Sequence, residues 1–378
     1  MQRFFLLLPL LSALCGPMAA RTTEPVRSLP ASDARITWIG RTLASGDSVK
    51  FDWTGVYARL KFKGNSLTVS ASDTKKNYYN VWLDRSMDQE PDKVVAIRGT
   101  DTTLVLFSPE ELRARYGRKQ AGLEHTVVIQ KRTEGEQGVA TFVSFSTEGT
   151  FLQADPPKER ILEYVGDSYT CGYGAENSIR TDPFKPETEN QNKTYADILA
   201  RHFGADQIVL AHSGMGIARN YNDNLKGDYM PDRYCRTFDT AKEPIWDARA
   251  SRLRPSITVI YLGTNDFSTS RQPSRRMFTA NYIALMKRIK ENYGEDYPIL
   301  CIAPMRDPGL PDYVRGAVEA CGLKNVHFMA LWPGLHNDDS DLGASGHPNY
   351  EGHRKKACAI LPYISTIMGW PLDGTSLR

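Results

Sequence analysis

The sequence has few of the residues and patterns that would place it in several large functional classes. It contains 6 cysteines and 7 histidines in 378 residues, and no spacing among them resembles a zinc site. The formal net charge is +3 and 24% of residues are charged, which gives no indication of a nucleic-acid partner. No internal repeat and no low-complexity tract is found, so a repeat architecture is not predicted.

Long apolar runs are also missing, because no segment beyond the N-terminus is apolar enough to be a membrane span. In the first twenty residues Arg3 precedes an apolar stretch at 4–14, and Ala19 and Ala20 supply small residues for cleavage. The stretch of about 11 residues is too short to cross a bilayer. We interpret residues 1–20 as a secretory signal peptide, which predicts a secreted or periplasmic protein.

The scarcity of cysteine limits the possible disulfide bonds. Cys15 is not preceded by the small residue that lipidation requires, so a lipoprotein anchor is not predicted. After the signal is removed, an odd number of cysteines remains, so at least one is unpaired or pairs outside the chain. These cysteines are Cys171, Cys235, Cys301, Cys321 and Cys358. Apolar surroundings predict buried thiols at Cys301 and Cys321, whereas a bond between Cys171 and Cys235 stays open.

The chain is long enough for two domains. Residues 21–34 are polar and are predicted to form a flexible lead. Between residues 35 and 151, apolar and polar residues alternate in short runs such as 56–62 and 139–145. This period of two predicts an antiparallel β-sandwich, with one short helix at 110–116.

The pattern changes after residues 152–159, a segment with two prolines that we interpret as a linker. Residues 160–378 alternate between strand-like and helix-like segments, which is typical of a parallel sheet with helices on both faces. The strand-like runs lie near residues 160–165, 207–212, 256–262, 298–303 and 325–330. Helices are predicted at 274–293 and 350–368, and Pro362 should kink the second.

The most informative segment is GDSYTCGYG at 166–174. It follows the first strand-like run of the α/β region, so Ser168 is expected at the carboxyl edge of the sheet, where the sites of open parallel sheets form. A serine at such an edge becomes a nucleophile when a histidine can take its proton. Taken alone, Ser168 is better explained as the cap of a helix that starts near Tyr169.

Three further elements each follow a strand-like run, and together they favour the nucleophile. They are Gly214 and Gly216 in AHSGMGIARNY, Asn265 in YLGTNDF, and His347 in GHPNYEGH. Because the carboxyl ends of parallel strands meet at one edge, these elements can gather beside Ser168. His347 lies in a turn that Pro348 restricts. It is favoured as the base over His336 in the same loop and over His353 in the final helix.

With these four elements the chain resembles the SGNH, or GDSL-type, hydrolases. Ser168, Gly214, Asn265 and His347 match the four letters of that name, and the string YVGDSYTCGYG is similar to carbohydrate esterase family two. The resemblance extends along nearly the whole mature chain. It implies a flavodoxin-like SGNH hydrolase domain at 160–378, with a jelly-roll-like β-sandwich before it at 35–151.

The resemblance also implies a role for each residue. Ser168 would attack the ester carbonyl and His347 would take its proton. The N–H of Ser168, with Gly214 and Asn265, would form an oxyanion hole for the tetrahedral intermediate. Gly216 is an alternative to Gly214 as the glycine donor. The segment 213–216 is also compatible with an ordinary tight turn that has no catalytic role.

The sequence departs from the family pattern next to the histidine. Many SGNH hydrolases have Asp three residues before it, where this chain has Ala344. The main-chain carbonyl of Gly346 could orient the imidazole instead. Asp338, Asp339 and Asp341 are the alternatives, because each could reach back from the same loop.

The implied activity is the removal of acetyl groups from a polysaccharide such as xylan or mannan, without a metal or organic cofactor. Tyr173, Arg219 and Trp332 are candidate sugar contacts on rim loops. One alternative is a lipase, a thioesterase or a peptidoglycan O-acetylesterase. Another is a carbohydrate-binding protein that has lost turnover, because the usual Asp is missing. Neither nucleic acid nor a membrane is a predicted partner, and no oligomeric state is predicted.

Overall fold

The computed structural model describes residues 26–223, 227–269, 271–304, 307–337 and 339–372. The predicted signal peptide at 1–20 and the start of the predicted lead at 21–25 lie outside the described residues. Within the described ranges, no helix combines the length and apolar character that crossing a membrane requires.

The N-terminal region is built on nine antiparallel strands and one helix. Burial alternates along the first seven residues of β6 and matches the period-two pattern of the sequence there. The helix α1 is Pro109–Tyr116, near the predicted 110–116, and Ser108 caps it in a reciprocal pair with Glu111. The strands are β1 Val26–Pro30, β2 Thr37–Ile39, β3 Leu43–Ser45, β4 Ser48–Phe51, β5 Tyr57–Gly64, β6 Leu67–Leu83, β7 Lys93–Phe107, β8 Glu124–Lys131 and β9 Ala140–Leu152.

The long strands of this region change partners along their length. The first half of β6 pairs with β9 and its second half pairs with β8, while β5 pairs with both β8 and β9. The sheet therefore closes on itself around a core that includes Trp53, Trp82 and Phe142. The finer prediction, a jelly-roll arrangement of these strands, stays a prediction.

The flexible lead predicted for 21–34 is wrong from Val26 onward. Val26–Pro30 is strand β1, which pairs with β9 so that Leu29 lies opposite Phe145. The Leu29 side chain is buried in the core. The polar composition was misleading because a strand added at an edge needs few buried side chains once its backbone hydrogen bonds are made.

The C-terminal region alternates strands and helices, as the sequence predicts. All five strand-like runs are strands to within a residue or two, and both long helices are present. Helix α7 continues through Pro362; a bend at that residue stays a prediction. The elements are β10 Ile161–Gly166, α2 Ser168–Cys171, α3 Tyr195–His202, β11 Asp206–Ala211, α4 Met230–Arg233, β12 Ile257–Tyr261, α5 Arg275–Tyr293, β13 Ile299–Ala303, α6 Leu310–Ala320, β14 Val326–Ala330 and α7 Tyr350–Met368.

The five C-terminal strands form one parallel sheet in the order β11-β10-β12-β13-β14. In the order in which the chain enters this region, that is 2-1-3-4-5, the order of flavodoxin-like sheets. Helices α3 and α7 pack on one face through residues such as Leu199 and Ile360. Helices α5 and α6 pack on the other face through residues such as Leu285 and Val314. The strand order reverses around β10, so a crevice is expected where β10 ends.

The two regions meet through buried polar contacts. The Asp206 carboxylate accepts hydrogen bonds from the Tyr57 hydroxyl at 2.7 Å and from the Arg59 guanidinium at 2.9 Å. The linker joins this contact, since the Lys158 N–H donates to Asp206 at 2.8 Å and Arg59 donates to the Pro156 carbonyl at 2.9 Å. The N-terminal sheet is therefore fixed against the start of β11.

Candidate active site

A tight turn between β10 and α2 presents Ser168. The last residue of the strand is Gly166. Glycine is needed there because a Cβ would lie 2.0 Å from the Thr170 hydroxyl. The Asp167 carboxylate then caps α2 by accepting the Tyr169 N–H at 3.1 Å. Asp167, rather than Ser168, is thus the helix cap. The Ser168 hydroxyl is left just past the end of β10, where the crevice is expected.

His347 lies within hydrogen-bond distance of Ser168. Its Nε2 atom is 2.9 Å from the Ser168 Oγ, although the two residues are 179 positions apart. The turn before α7 holds His347 in place, because its N–H donates to the Ala344 carbonyl and its carbonyl accepts the Gly343 N–H. The geometry is that of a base able to take a hydroxyl proton.

The two rival histidines make contacts elsewhere. His336 Nε2 lies 3.2 Å from the Gly352 carbonyl, and burial lowers its pKa to about 4. His353 is completely buried in α7, where its Nδ1 accepts the Tyr195 N–H at 3.4 Å. Neither histidine is hydrogen-bonded to Ser168, so the geometry favours His347.

The second side of the site is a turn at residues 212–216, after β11. Gly214 has φ +80°, a conformation that glycine adopts without strain. Its carbonyl accepts the Tyr221 N–H at 2.8 Å. Among the described residues, the N–H groups of Gly214 and Ser168 have no acceptor, and Gly214 and Ser168 line the same cavity. Both N–H groups are therefore available to an oxygen atom in that cavity.

Gly216, the alternative donor, is already occupied. Its N–H donates to the Asn220 side chain at 3.0 Å. A Cβ at this position would lie 1.9 Å from the Arg219 carbonyl and 2.5 Å from the Asp266 carboxylate. Glycine is needed there for close packing, which favours Gly214 over Gly216 as the oxyanion donor.

Asn265 closes the third side of the site. Its amide Nδ2 donates to the Met215 carbonyl at 2.8 Å and lies 3.3 Å from the Asp167 carboxylate. The neighbouring Asp266 accepts three backbone N–H groups, those of residues 217–219, at 2.7 to 2.9 Å. Burial raises the pKa of Asp266 to about 6. These contacts tie the Asn265 loop to the glycine turn.

The four residues gather around one cavity of about 430 Å³ at the carboxyl edge of the sheet. Its wall combines small polar groups with three tyrosines. A cavity of this kind can hold a small acyl group while a larger part of the substrate stays in solvent. The lining residues are Ser168, Tyr169, Tyr173, Ser213, Gly214, Tyr221, Thr264, Asn265, Ser268, Ser345, Gly346 and His347.

The candidate acidic residues differ in their surroundings. Asp341 is buried, and its carboxylate accepts from the Asn337 N–H and the Lys355 ammonium, each at 2.5 Å. Burial opposes ionisation, but these two donors lower its pKa. Asp339 is exposed, and Asp338 lies outside the described residues. Gly346 lines the cavity beside His347, and its carbonyl remains the proposed orienting group.

Only one of the three candidate sugar contacts lines the cavity. The Tyr173 ring lies 4.2 Å from the His347 ring and stacks on Phe184 at 4.0 Å between centroids. Arg219 instead donates to Thr269 at 2.7 Å. Trp332 is 73% exposed and does not line the cavity. The structure therefore gives no support for Arg219 and Trp332 as sugar contacts. The prediction failed for them because the sequence does not show how a rim loop is oriented.

Two tyrosines that are not among the three candidate sugar contacts also line the cavity. Tyr221, half exposed, lines the cavity beside Gly214, and Tyr169 packs against His347 with ring centroids 5.2 Å apart. Each lies within seven residues of a motif residue, so adjacency to the motifs was the available signal. Tyrosine in a loop is common, and that signal is weak.

One cysteine, Cys171, lies beside two buried glutamates. All five cysteines in the described residues are free thiols. Ligand atoms of Glu134, Cys171 and Glu189 lie within 4.8 Å of one another. The Cys171 thiol donates to Glu134 at 3.6 Å, and burial raises its pKa well above the usual value. The thiol is therefore hydrogen-bonded within this buried group.

The glycine turn begins with a buried histidine, His212. Burial opposes charge on His212, but Asp239, 2.6 Å from Nδ1, with Glu136 and Glu134, raises its pKa to about 10. A raised pKa stabilises the fold fully below the unfolded value of about 6.5, and this stabilisation is lost as pH rises towards 10. One proton accounts for at most about 1.4 kcal/mol per pH unit.

We therefore expect His212→Gln to cost most stability at low pH. Urea unfolding of the wild type and the variant at pH 6.5, 8 and 9.5 measures the difference in free energy of unfolding. That difference should shrink as pH rises, because groups common to both proteins cancel. A difference that stays constant across this range would mean that His212 is neutral in the folded protein.

Comparison with protein families assigns both regions. The model of the GDSL-like lipase/acylhydrolase family matches residues 164–355, more than half of the chain. The model described as carbohydrate esterase 2 N-terminal matches residues 38–157. The prediction that the chain resembles SGNH hydrolases of carbohydrate esterase family two is therefore confirmed.

Two curated relatives are similar over most of this chain. The cellulase/esterase CelE of Acetivibrio thermocellus is 31% identical over 329 residues, which cover 85% of this chain and 38% of that protein. An acetylxylan esterase/glucomannan deacetylase of Cellvibrio japonicus is 28% identical over 337 residues, with 85% and 87% covered. This chain thus spans less than half the length of CelE.

Solved structures agree with this assignment. A family two carbohydrate esterase from Clostridium thermocellum, in complex with cellohexaose, is 30% identical with a TM-score of 0.78, covering 89% of this chain and 100% of that chain. A family two carbohydrate esterase from Cellvibrio japonicus, 23% identical, has the same fold with a TM-score of 0.80, covering 92% and 99%. The prediction of an enzyme that hydrolyses carboxylic esters is confirmed at the level of the family. The chain belongs to the GDSL-like lipase/acylhydrolase family and carries the N-terminal domain of carbohydrate esterase family two.

Proposed function

We propose that the protein is a carbohydrate O-acetyl esterase that works through a serine acyl-enzyme. The observation that carries this proposal is the 2.9 Å contact between His347 Nε2 and Ser168 Oγ inside the cavity. The names of the two curated relatives, an esterase and an acetylxylan esterase/glucomannan deacetylase, support an acetylated polysaccharide as substrate. Xylan and glucomannan are the first candidates.

In the proposed reaction Ser168 is the nucleophile and His347 the base. His347 takes the hydroxyl proton as the Ser168 Oγ bonds to the acetyl carbonyl carbon. The resulting oxyanion accepts hydrogen bonds from the Ser168 and Gly214 N–H groups, and from the Asn265 amide when it exchanges its 3.3 Å contact with Asp167 for the oxyanion. His347 then gives the proton to the sugar oxygen as its bond to the acetyl carbon breaks. Water, losing a proton to the same imidazole, attacks the acyl-enzyme, and acetate leaves as Ser168 regains its proton.

The orientation of His347 is proposed to come from the Gly346 carbonyl. A main-chain carbonyl sets the imidazole tautomer but stabilises the imidazolium less than a carboxylate does. The commitment of Asp341 to Lys355 and Asn337 supports this, since moving it to His347 would break both contacts. The protein would then work as a Ser-His dyad.

The cavity favours a short acyl group. Serine, threonine and glycine contribute seven of its twelve lining residues, and none of the twelve has an aliphatic side chain. The finer predictions complete the proposal: the protein is exported by an N-terminal signal, and its N-terminal region is a jelly-roll-like sandwich.

A panel of esters tests this function. Nitrophenyl esters of two, four and eight carbons measure acyl preference, and acetate release from acetylated xylan and glucomannan measures the polysaccharide activity. We expect kcat/KM to be highest for acetyl and both polymers to release acetate. A maximum at eight carbons would instead support a lipase. Acetate release from peptidoglycan alone would support a peptidoglycan O-acetylesterase. Binding of the polysaccharide without acetate release would support a carbohydrate-binding protein.

The role of Asn265 makes a separate prediction. Asn265→Ala should lower kcat by about 10²–10³ with little change in KM, because the amide acts on charge that develops in the transition state. Steady-state kinetics with an acetyl ester measures both constants. Asn281→Ala is the matched control, since its amide holds the Ile217 carbonyl at 2.9 Å but does not line the cavity. A rise in KM alone would make Asn265 a substrate-binding residue.

A further inference from the structure

A loop of the N-terminal region reaches the glycine turn of the catalytic region. The loop joins β8 to β9, and its residue Glu134 is 1% exposed. One carboxylate oxygen of Glu134 accepts the Ser213 N–H at 2.6 Å. The next N–H along the chain is that of Gly214, the proposed oxyanion donor. A carboxylate from one domain therefore lies one peptide away from the oxyanion hole of the other.

The loop is anchored so that this carboxylate cannot move far. The buried Lys131 ammonium donates to the Thr133 carbonyl at 2.5 Å and the Glu134 carbonyl at 2.9 Å. Gly135 follows, where a Cβ would lie 2.4 Å from the Asp239 carboxylate. Only glycine lets the loop approach so closely. Glu134 is thus delivered to the Ser213 N–H by a fixed backbone.

The same loop makes a second contact with the turn. Glu136 Oε1 lies 3.2 Å from His212 Nε2, and the His212 Nδ1 lies 2.6 Å from Asp239. The His212 side chain and the Ser213 N–H, both at the start of the turn, are therefore held in place. The Ser213 N–H donates to a side-chain oxygen of Glu134, whose burial raises its pKa.

Other residues fix the remaining polar groups of the turn. The Gly214 carbonyl accepts the Tyr221 N–H, the Met215 carbonyl accepts the Asn265 amide, and the Gly216 N–H donates to Asn220. With the Ser213 N–H held by Glu134, the Gly214 N–H is the one backbone donor of residues 213, 214 and 216 that keeps no acceptor among the described residues. The turn is constrained on every side except towards the cavity.

We propose that Glu134 is a positioning residue for the oxyanion hole, holding the Ser213–Gly214 peptide so that the Gly214 N–H points at the developing oxyanion. The inference rests on the proposed function, because it acts through the tetrahedral intermediate. It also gives the N-terminal domain a part in turnover. A misplacement of about 1 Å in such a site can cost about 10²-fold in rate.

Glu189 provides a matched control for a purely structural role. It is as buried as Glu134, and its Oε2 accepts the Glu134 N–H at 3.2 Å. It has no contact with the turn among the described residues. Glu134→Gln keeps an oxygen acceptor for the Ser213 N–H, whereas Glu134→Ala and Glu134→Asp do not reach it. The three variants and Glu189→Gln separate the acceptor from the packing.

Steady-state kinetics on a nitrophenyl acetate is the first test. We expect Glu134→Ala and Glu134→Asp to lower kcat by about 10- to 100-fold with KM within about twofold. Glu134→Gln and Glu189→Gln should stay within about threefold of the wild type. If Glu134→Ala does not fold, Glu134→Asp carries the test. Unchanged kcat in a folded Glu134→Asp, or equal losses in Glu134→Gln and Glu134→Asp, would overturn the proposal.

A fluorophosphonate tests the inference without an ester substrate. The Ser168 Oγ bonds to phosphorus as fluoride leaves, and the phosphoryl oxygen occupies the oxyanion position. The inactivation rate constant should fall with Glu134→Asp and stay near that of the wild type with Glu134→Gln. Adding Asn265→Ala should cost less than the product of the two single effects, because both act on one turn. A fully multiplicative double variant would place Glu134 outside the oxyanion hole.

These measurements distinguish two kinds of failure. If the wild type releases no acetate but reacts with the fluorophosphonate in a Glu134-dependent way, the substrate is wrong and the positioning role holds. If the wild type is an acetyl esterase and Glu134→Asp changes neither kcat nor labelling, the proposed function holds and the positioning role fails.

Discussion

Replacing Ser168 by alanine is expected to lower the turnover of an acetyl ester by on the order of 10⁶, the loss seen when a serine hydrolase loses its nucleophile. The reason is that no other hydroxyl is hydrogen-bonded to His347 among the described contacts of the cavity. Ser168→Ala should fold normally, because the Asp167 carboxylate, and not the serine, caps α2. Acetate release over hours, with burst kinetics for the wild type, measures the effect.

The control for this variant lies at the opposite edge of the same sheet. Ser256 precedes β12, and its hydroxyl makes one long contact, 3.5 Å from the Ile161 N–H. Ser256→Ala should keep full activity. Thermal unfolding of both variants checks that they are folded. Activity of Ser168→Ala within tenfold of the wild type would move the nucleophile to another residue.

His347→Ala is expected to be as inactive as Ser168→Ala, since nucleophile and base act as a unit and removal of either costs about as much. A serine hydroxyl without its base is a weak nucleophile at neutral pH. His336→Ala is the matched control, because His336 lies in the same loop but contacts the Gly352 carbonyl. Full activity of His347→Ala, measured with the same ester, would overturn the assignment of the base.

Three further variants ask whether an acid completes the site. If the Gly346 carbonyl orients His347, then Asp338→Asn, Asp339→Asn and Asp341→Asn should each keep most of their activity. An aspartate acting as the third member of a triad should cost about 10⁴ when changed to Asn, because the imidazole is then held in the wrong tautomer. Asp341→Asn should lose some stability through Lys355. One variant falling towards the level of His347→Ala would identify the acid.

The sequence predicted the catalytic region well because its signals are local. Buried strands of a parallel sheet read as apolar runs, and the residues at their carboxyl ends share one edge whatever their separation along the chain. Ser168, Gly214, Asn265 and His347 all follow such runs, and all four line one cavity. These four residues could therefore be assigned to one sheet edge without knowledge of side-chain packing.

What the sequence did not predict depends on contacts between distant segments. Glu134 and Ser213 are 79 positions apart and belong to different domains, and no periodicity marks a loop that crosses between them. Strand β1 was read as a flexible lead because its pairing with β9 is made by the backbone. Trp332 and Arg219 were predicted as sugar contacts at the rim of the site. The prediction is not supported, because loop composition does not show where a side chain points.

The junction at Asp206 and the loop at Glu134 have a consequence for how this protein can be divided. The Asp239 and Thr240 N–H groups also depend on the N-terminal region, since they donate to the Asp52 carboxylate at 2.7 and 2.9 Å. A catalytic fragment cut free at the linker would expose these donors and the apolar surface around them, so neither half is a self-sufficient module. The two domains should melt in a single cooperative transition. Recombination among family members should therefore exchange both domains together, because a foreign sandwich would bring a foreign loop to the catalytic turn.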